Sequence, residues 1–138
     1  MYISPCGWYC IDTPKSWVTQ EVEQGLLLKH PYLETSIKIN SIRTNLEQID
    51  EISLTEEHER VTKSIKGHHE IARGSSKTGL SVITSTVQKE DVFYVLCHLF
   101  WSKYAIRIEF SCQVKDEITS LVQSFNHITQ NIQTLTND

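Results

Sequence analysis

Val92-Phe93-Tyr94-Val95-Leu96-Cys97-His98-Leu99-Phe100-Trp101, then Ser102-Lys103, then Tyr104-Ala105-Ile106-Arg107-Ile108-Glu109-Phe110-Ser111-Cys112 is the stretch that decides the fold. The first ten residues are apolar at nearly every position, the pattern of a strand with both faces covered. Beyond the two-residue link, Tyr104, Ile106, Ile108 and Phe110 alternate with Ala105, Arg107, Glu109 and Ser111, which predicts a strand with one apolar and one polar face. Upstream, Leu80 to Gln88 reads as a third strand, joined by Lys89-Glu90-Asp91. Links this short predict an antiparallel meander. Downstream, Val114, Ile118, Leu121, Val122, Phe125, Ile128, Ile132 and Leu135 recur at spacings of three and four, predicting a long amphipathic helix.

The N-terminal half supplies further strands. Trp8 to Ile11 is aromatic and β-branched and is closed by Asp12-Thr13-Pro14-Lys15-Ser16; Trp17 to Val22 and Leu26 to Lys29 flank Glu23-Gln24-Gly25, where glycine suits a hairpin needing positive φ. Ser36 to Arg43 alternates as a fourth strand. Thr44 to Ile52 is polar and acidic. Thr55 followed by Glu56-Glu57-His58 predicts a helix start, Leu54, Val61 and Ile65 its narrow apolar stripe, and Gly67 its end. Gly67 to Gly79, with His68-His69 and Arg73-Gly74-Ser75-Ser76-Lys77, reads as an exposed, mobile connection. The expectation is one α+β domain over residues 1–138: an antiparallel sheet of six or seven strands between two helices, an α/β/α sandwich.

At 138 residues, with 39% hydrophobic and 22% charged residues, the chain can bury a core without disulfide or metal staples. Thirteen basic against seventeen acidic side chains argue against nucleic acid as a partner. Cys6, Cys10, Cys97 and Cys112 contain no C-x-x-C pair and read as reduced, half-buried strand thiols, with a disulfide or a reactive or metal-bound thiol as the alternatives. Met1 to Cys6 shows neither a basic nor an apolar signal region, and no apolar run is long enough to cross a bilayer, so a cytoplasmic setting is expected.

Chemistry is sparse. His68-His69 are adjacent loop residues without companions at zinc-like spacing, and His98 lies between Cys97 and Leu99, where a neutral, hydrogen-bonded imidazole is expected. There is no G-x-S-x-G, phosphate-binding loop or G-x-G-x-x-G, and no catalytic residue, metal or cofactor is expected. Glu47, Asp50, Glu51, Glu56, Glu57 and Glu59 form an acidic run, followed by Arg60, Lys63, Lys66, Arg73 and Lys77. This asymmetry reads either as a solvated helix face or as a patch steering a protein partner. Trp101 and Tyr104 flank a tight turn, and Trp8 and Tyr9 share a strand; strand alternation sends one of each pair outward as a candidate anchor.

The opening Gly7-Trp8-Tyr9-Cys10-Ile11-Asp12-Thr13-Pro14-Lys15-Ser16-Trp17 resembles the strand, proline turn and tryptophan that begin PsbP-like bacterial proteins. The later order of helix, three-strand meander and long helix is similar as well. The resemblance implies a PsbP-like α/β/α domain that binds rather than catalyses, as do DcrB-like envelope proteins and Eag-type chaperones of type VI secretion effectors. It and the acidic run together lead to the expectation of a cytoplasmic immunity protein, a monomer or weak dimer when free, that blocks a cognate toxin or effector. An Eag-type effector chaperone and a small-ligand-binding protein are the alternatives; the polar alternation of the last strand counts against the broad apolar groove a chaperone needs.

Overall fold

The computed structural model describes residues 2–4, 7, 9–13, 17–22, 25–32, 35–43, 51–63, 68–75, 79–89, 92–101 and 104–135. In chain order these form β1 (Tyr2–Ile3), β2 (Tyr9–Ile11), β3 (Val18–Val22), β4 (Gly25–Lys29), β5 (Ser36–Arg43), α1 (Glu51–Thr62), β6 (His68–Ser75), β7 (Ser81–Lys89), β8 (Val92–Trp101), β9 (Tyr104–Gln113), α2 (Val114–Asn131) and β10 (Gln133–Thr134). Seven strands make one antiparallel sheet in the order β3-β4-β5-β9-β8-β7-β6, and β1-β2-β10 make a small second sheet. The fold is α+β, as the strand and helix patterns predict.

The strand register sorts side chains onto two faces. Leu26, Leu28, Ile37, Ile39, Val95, Cys97, Leu99, Ile106, Ile108, Phe110 and Cys112 share one face, and all are buried. Against it pack Phe125 and Ile128 of α2, together with Tyr2, Tyr9, Ile11 and Ile132 from the small sheet and its flank. Phe110 and Phe125 meet edge to face with ring centroids 5.0 Å apart. At about 1.5–3 kcal/mol for each large side chain removed from water, this layer dominates the favourable side of folding.

The opposite face carries Ile83, Ser85, Val87, Tyr94, Leu96, His98, Phe100, Ala105, Arg107 and Glu109. Its apolar cluster is small: Ile83, Phe100 and Ala105. Helix α1 lies here, with His58 over His98 and Ser85. The two helices thus flank the large sheet on opposite faces.

Several expectations change. Of the strand expected from Trp8 to Ile11, Tyr9–Ile11 is described and joins the small sheet, while the segment read as a mobile connection supplies β6, paired with β7 from His68↔Gln88 to Ser75↔Ser81. Ala72, Arg73, Gly74 and Ser75 are exposed, so this edge strand lacks the apolar alternation that reveals a half-buried one. Helix α1 begins at Glu51, which puts Thr55 inside it rather than at its cap, and ends at Thr62, well before Gly67. Helix α2 stops at Asn131: Ile132 is extended yet buried, and Gln133 and Thr134 pair with Cys10 and Tyr9. Leu135, counted as part of the helical stripe, is 51% exposed.

Gly25 is required for a different reason than hairpin φ. It opens β4 opposite Asn40, and a Cβ there would collide with the Ile39 carbonyl oxygen, a backbone atom that cannot move aside. Only Gly7 and Gly79 adopt positive φ among the described glycines. Gly25→Ala is therefore expected to destabilise the fold by about 1–3 kcal/mol, read as a lower urea midpoint at unchanged slope; an unchanged midpoint would contradict this packing.

Candidate functional site

On the face that carries α1, five neighbouring strands form a trough of about 310 Å³. Cross-strand register arranges its floor in two rows: Val87, Tyr94, Ser111 and Ser36 in one, and Leu96, Glu109, Lys38 and Leu27 in the next. Val95 and Phe110, whose side chains belong to the core, complete the lining. Four strand spacings make the trough about 19 Å long across the strands, while two rows make it about 7 Å wide. Its lining is mostly apolar. Val87 and Leu96 are buried, Leu27 is half-buried, and Tyr94 is 36% exposed. A polar band crosses the middle, where Ser36 Oγ and Ser111 Oγ lie 3.0 Å apart and Lys38 stands opposite Glu109.

Beside the trough, under α1, runs a chain of hydrogen bonds. Arg107 Nε donates to His98 Nε2 at 3.1 Å, His98 Nδ1 meets His58 Nδ1 at 2.7 Å, and His58 Nε2 meets Ser85 Oγ at 2.6 Å. His58, His98 and Ser85 are fully buried. Arginine can only donate, and that fixes the direction of every link. His98 must accept on Nε2, so its proton sits on Nδ1 and is donated to His58 Nδ1; the proton of His58 then sits on Nε2 and is donated to Ser85. A second proton on His58 would set two N–H groups against each other. Burial holds both rings neutral, pushing His58 down to about 4 with help from the Arg107 charge, and His98 down to about 3 with help from His58, Arg107 and Arg60.

This polarity is the reverse of the one nucleophilic catalysis uses, where the imidazole nitrogen facing the serine carries no proton and takes the hydroxyl hydrogen. Ser85 accepts from His58 instead. Cys97, another candidate nucleophile, is pushed up to about 12 by burial and stays a thiol. Among the described residues no three His, Cys, Asp or Glu side chains gather as a metal site.

Of the sequence-predicted site residues, the two with described side chains, Glu56 and Glu59, are not among those lining this trough. Glu47 and Asp50 lie outside the described residues, as do Trp8 and Cys6. Glu51 and Glu57 belong to α1 and Trp101 and Tyr104 pair at the end of β8 and β9, but these four side chains lie outside the described set. Glu56 is exposed on α1 and Glu59 half-buried. Tyr9 is completely buried, so it serves the core. Sequence reasoning missed Tyr94 and Leu96 because their strand read as covered on both faces, and Leu27 because Leu26-Leu27-Leu28 shows no alternation between faces. The available signal was the polar face of β9, which marks the sheet surface where packing stops.

No family model and no curated protein matches the chain. Solved structures do match. A protein of Bacteroides thetaiotaomicron VPI-5482, solved at 1.50 Å, superposes with a TM-score of 0.66 and 14% identity over 99% of this chain, which spans about half (48%) of that protein's length. LpqN, involved in cell envelope biogenesis of Mycobacterium tuberculosis, superposes with a TM-score of 0.64 and 10% identity over 93% of this chain and 83% of its own. At such identity the likeness is one of fold. No helix among the described residues is long and apolar enough to cross a membrane.

The neutral imidazole pair makes stability pH-dependent. A histidine lowered in the folded state binds fewer protons folded than unfolded, so stability is lost as pH falls, starting near the free-histidine value of 6.5 and continuing to about 4 for His58 and about 3 for His98. Between about pH 6.5 and 5, above the ordinary carboxylate range, the two rings together should lower the unfolding free energy by about 3 kcal/mol. The double variant His58→Gln/His98→Gln should show a flat profile over that interval; the same slope in wild type and variant would refute the assignment.

Proposed function

We propose that this chain is a non-enzymatic protein-binding domain whose working surface is the trough across β4, β5, β9, β8 and β7. The observation that carries this reading is the apolar lining of that trough beside a hydrogen-bond chain polarised away from catalysis. Its occupant is an apolar segment of a partner protein lying crosswise to the strands. A cleft about 19 Å long and only two side-chain rows wide suits an elongated segment, and the Ser36, Ser111, Lys38 and Glu109 band offers hydrogen bonds to polar groups partway along it.

The partner class expected from the sequence, a cognate toxin or effector, fits this reading. The apolar lining favours capture of a segment, as an effector chaperone would do, over capping of a basic cleft by the acidic run. The cytoplasmic setting belongs to the same proposal and is supported by Cys10, Cys97 and Cys112, buried in strands. The net charge of -4 supports a protein partner over nucleic acid.

The test is co-expression with adjacent reading frames and retention of a partner on the tagged chain, repeated with Leu27→Arg, with Tyr94→Arg and with the charge-reversed Glu56→Lys/Glu57→Lys/Glu59→Lys. Both trough positions are partly exposed, so those variants should fold. Loss of at least about tenfold in affinity for the trough variants, with the charge-reversed variant close to wild type, is the expected result. Loss confined to the charge-reversed variant would replace the trough with the acidic surface and restore the inhibitor mechanism.

A further inference from the structure

The large sheet has two ends, β3 and β6, and they differ in how they are protected. An edge strand presents unpaired N–H and C=O groups, and proteins blunt such edges with charges, prolines, glycines or bulges. β6 is His68-His69-Glu70-Ile71-Ala72-Arg73-Gly74-Ser75, with an exposed arginine and an exposed glycine. β3 is Val18-Thr19-Gln20-Glu21-Val22, which has a single charge, no proline, and an unbroken register with β4 from Val18↔Lys29 to Val22↔Gly25. Both of its faces are open: Val18 is 59% exposed, and Thr19, Gln20 and Glu21 are exposed as well. This is a regular, β-branched edge whose one guard is the Glu21 charge.

We infer that β3 is a self-association edge, pairing antiparallel with β3 of a second copy of this chain about a two-fold axis at Gln20. The sequence of the strand is self-complementary in that register. Val18 of each copy faces Val22 of the other, an apolar pair; Thr19 faces Glu21, a hydroxyl that can donate to a carboxylate; and Gln20 faces Gln20, two amides that can bond each other. No like charges stand directly opposite. The two Glu21 side chains lie on the diagonal, about 7–8 Å apart, a repulsion that salt screens.

A two-fold axis normal to the sheet keeps equivalent faces on one side. Gln20 lies in register with Leu27, Lys38, Glu109 and Leu96, so the row lining one trough runs through the axis into the same row of the second copy. The two troughs open on the same side of one continuous sheet. Self-association through β3 does not depend on what occupies them, and its test reads assembly alone.

The test places charge at the axis. Gln20 is exposed, so Gln20→Lys and Gln20→Glu should both fold, which far-ultraviolet circular dichroism checks. By sedimentation velocity from about 1 to about 200 μM, the wild-type chain should show a reversible dimer that tightens with added salt, and each variant alone should associate at least about tenfold more weakly. An equimolar mixture of the two variants should recover the dimer, because Lys then faces Glu across the axis. A wild-type chain monomeric over the whole range would overturn the inference. So would variants that dimerise as tightly as wild type, or a mixture no tighter than its components, since the axis would then not lie at Gln20.

Discussion

The pairing of β8 with β9, in unbroken register from Val92↔Gln113 to Trp101↔Tyr104, is the constraint on which the rest of the molecule depends. Once these strands lie side by side at the centre of the sheet, period-two geometry leaves no choice about what each face carries. Ile106, Ile108 and Phe110 align with Leu99, Cys97 and Val95 on one face, which must be covered by apolar surface, and α2 with the small sheet covers it. Arg107 and Glu109 align with His98 and Leu96 on the other, where an apolar helix could not be laid without stranding charges. The two faces therefore recruit two different kinds of helix.

Helix α1 illustrates the second kind. Its sequence, Glu51 to Thr62, has little apolar surface to bury, and its described contact with the sheet is made by His58 through a chain that ends on Arg107. Such a contact is directional where hydrophobic packing is not: each donor needs its acceptor, and removing one link leaves buried groups unsatisfied at about 1–3 kcal/mol each. The helix covers Ser85 and His98, and the trough opens over the adjoining rows of the same face. The structural role of the histidines and the availability of the trough thus come from one fact, the mixed polarity of a single sheet face.

The sequence displayed the apolar face far better than the mixed one. Alternation in Tyr104 to Cys112, the continuous run from Val92 to Trp101 and the helical spacing of Phe125 and Ile128 were legible because apolar burial leaves a period in the chain. β6 was not, since an exposed edge strand is held by ladder hydrogen bonds that any residue type can make. The end of α2 was obscured because Ile132 stays buried after the helix stops, so its spacing continues a pattern its backbone does not. His98 could be placed in a buried strand and expected to be neutral, whereas its partners His58 and Ser85, 40 and 13 residues away, are joined to it only by tertiary geometry. The trough is a gap in coverage, and a gap has no signature of its own beyond the polar residues at its middle.

The measurement that bears most directly on a binding rather than catalytic role is the tautomeric state of the two buried imidazoles, read from nitrogen-15 chemical shifts and long-range proton–nitrogen couplings at neutral pH. The hydrogen-bond chain requires two neutral rings, with the proton on Nδ1 of His98 and on Nε2 of His58. An unprotonated Nε2 on His58, facing the Ser85 hydroxyl, would reverse the polarity of the chain and make Ser85 a candidate nucleophile, contradicting the account.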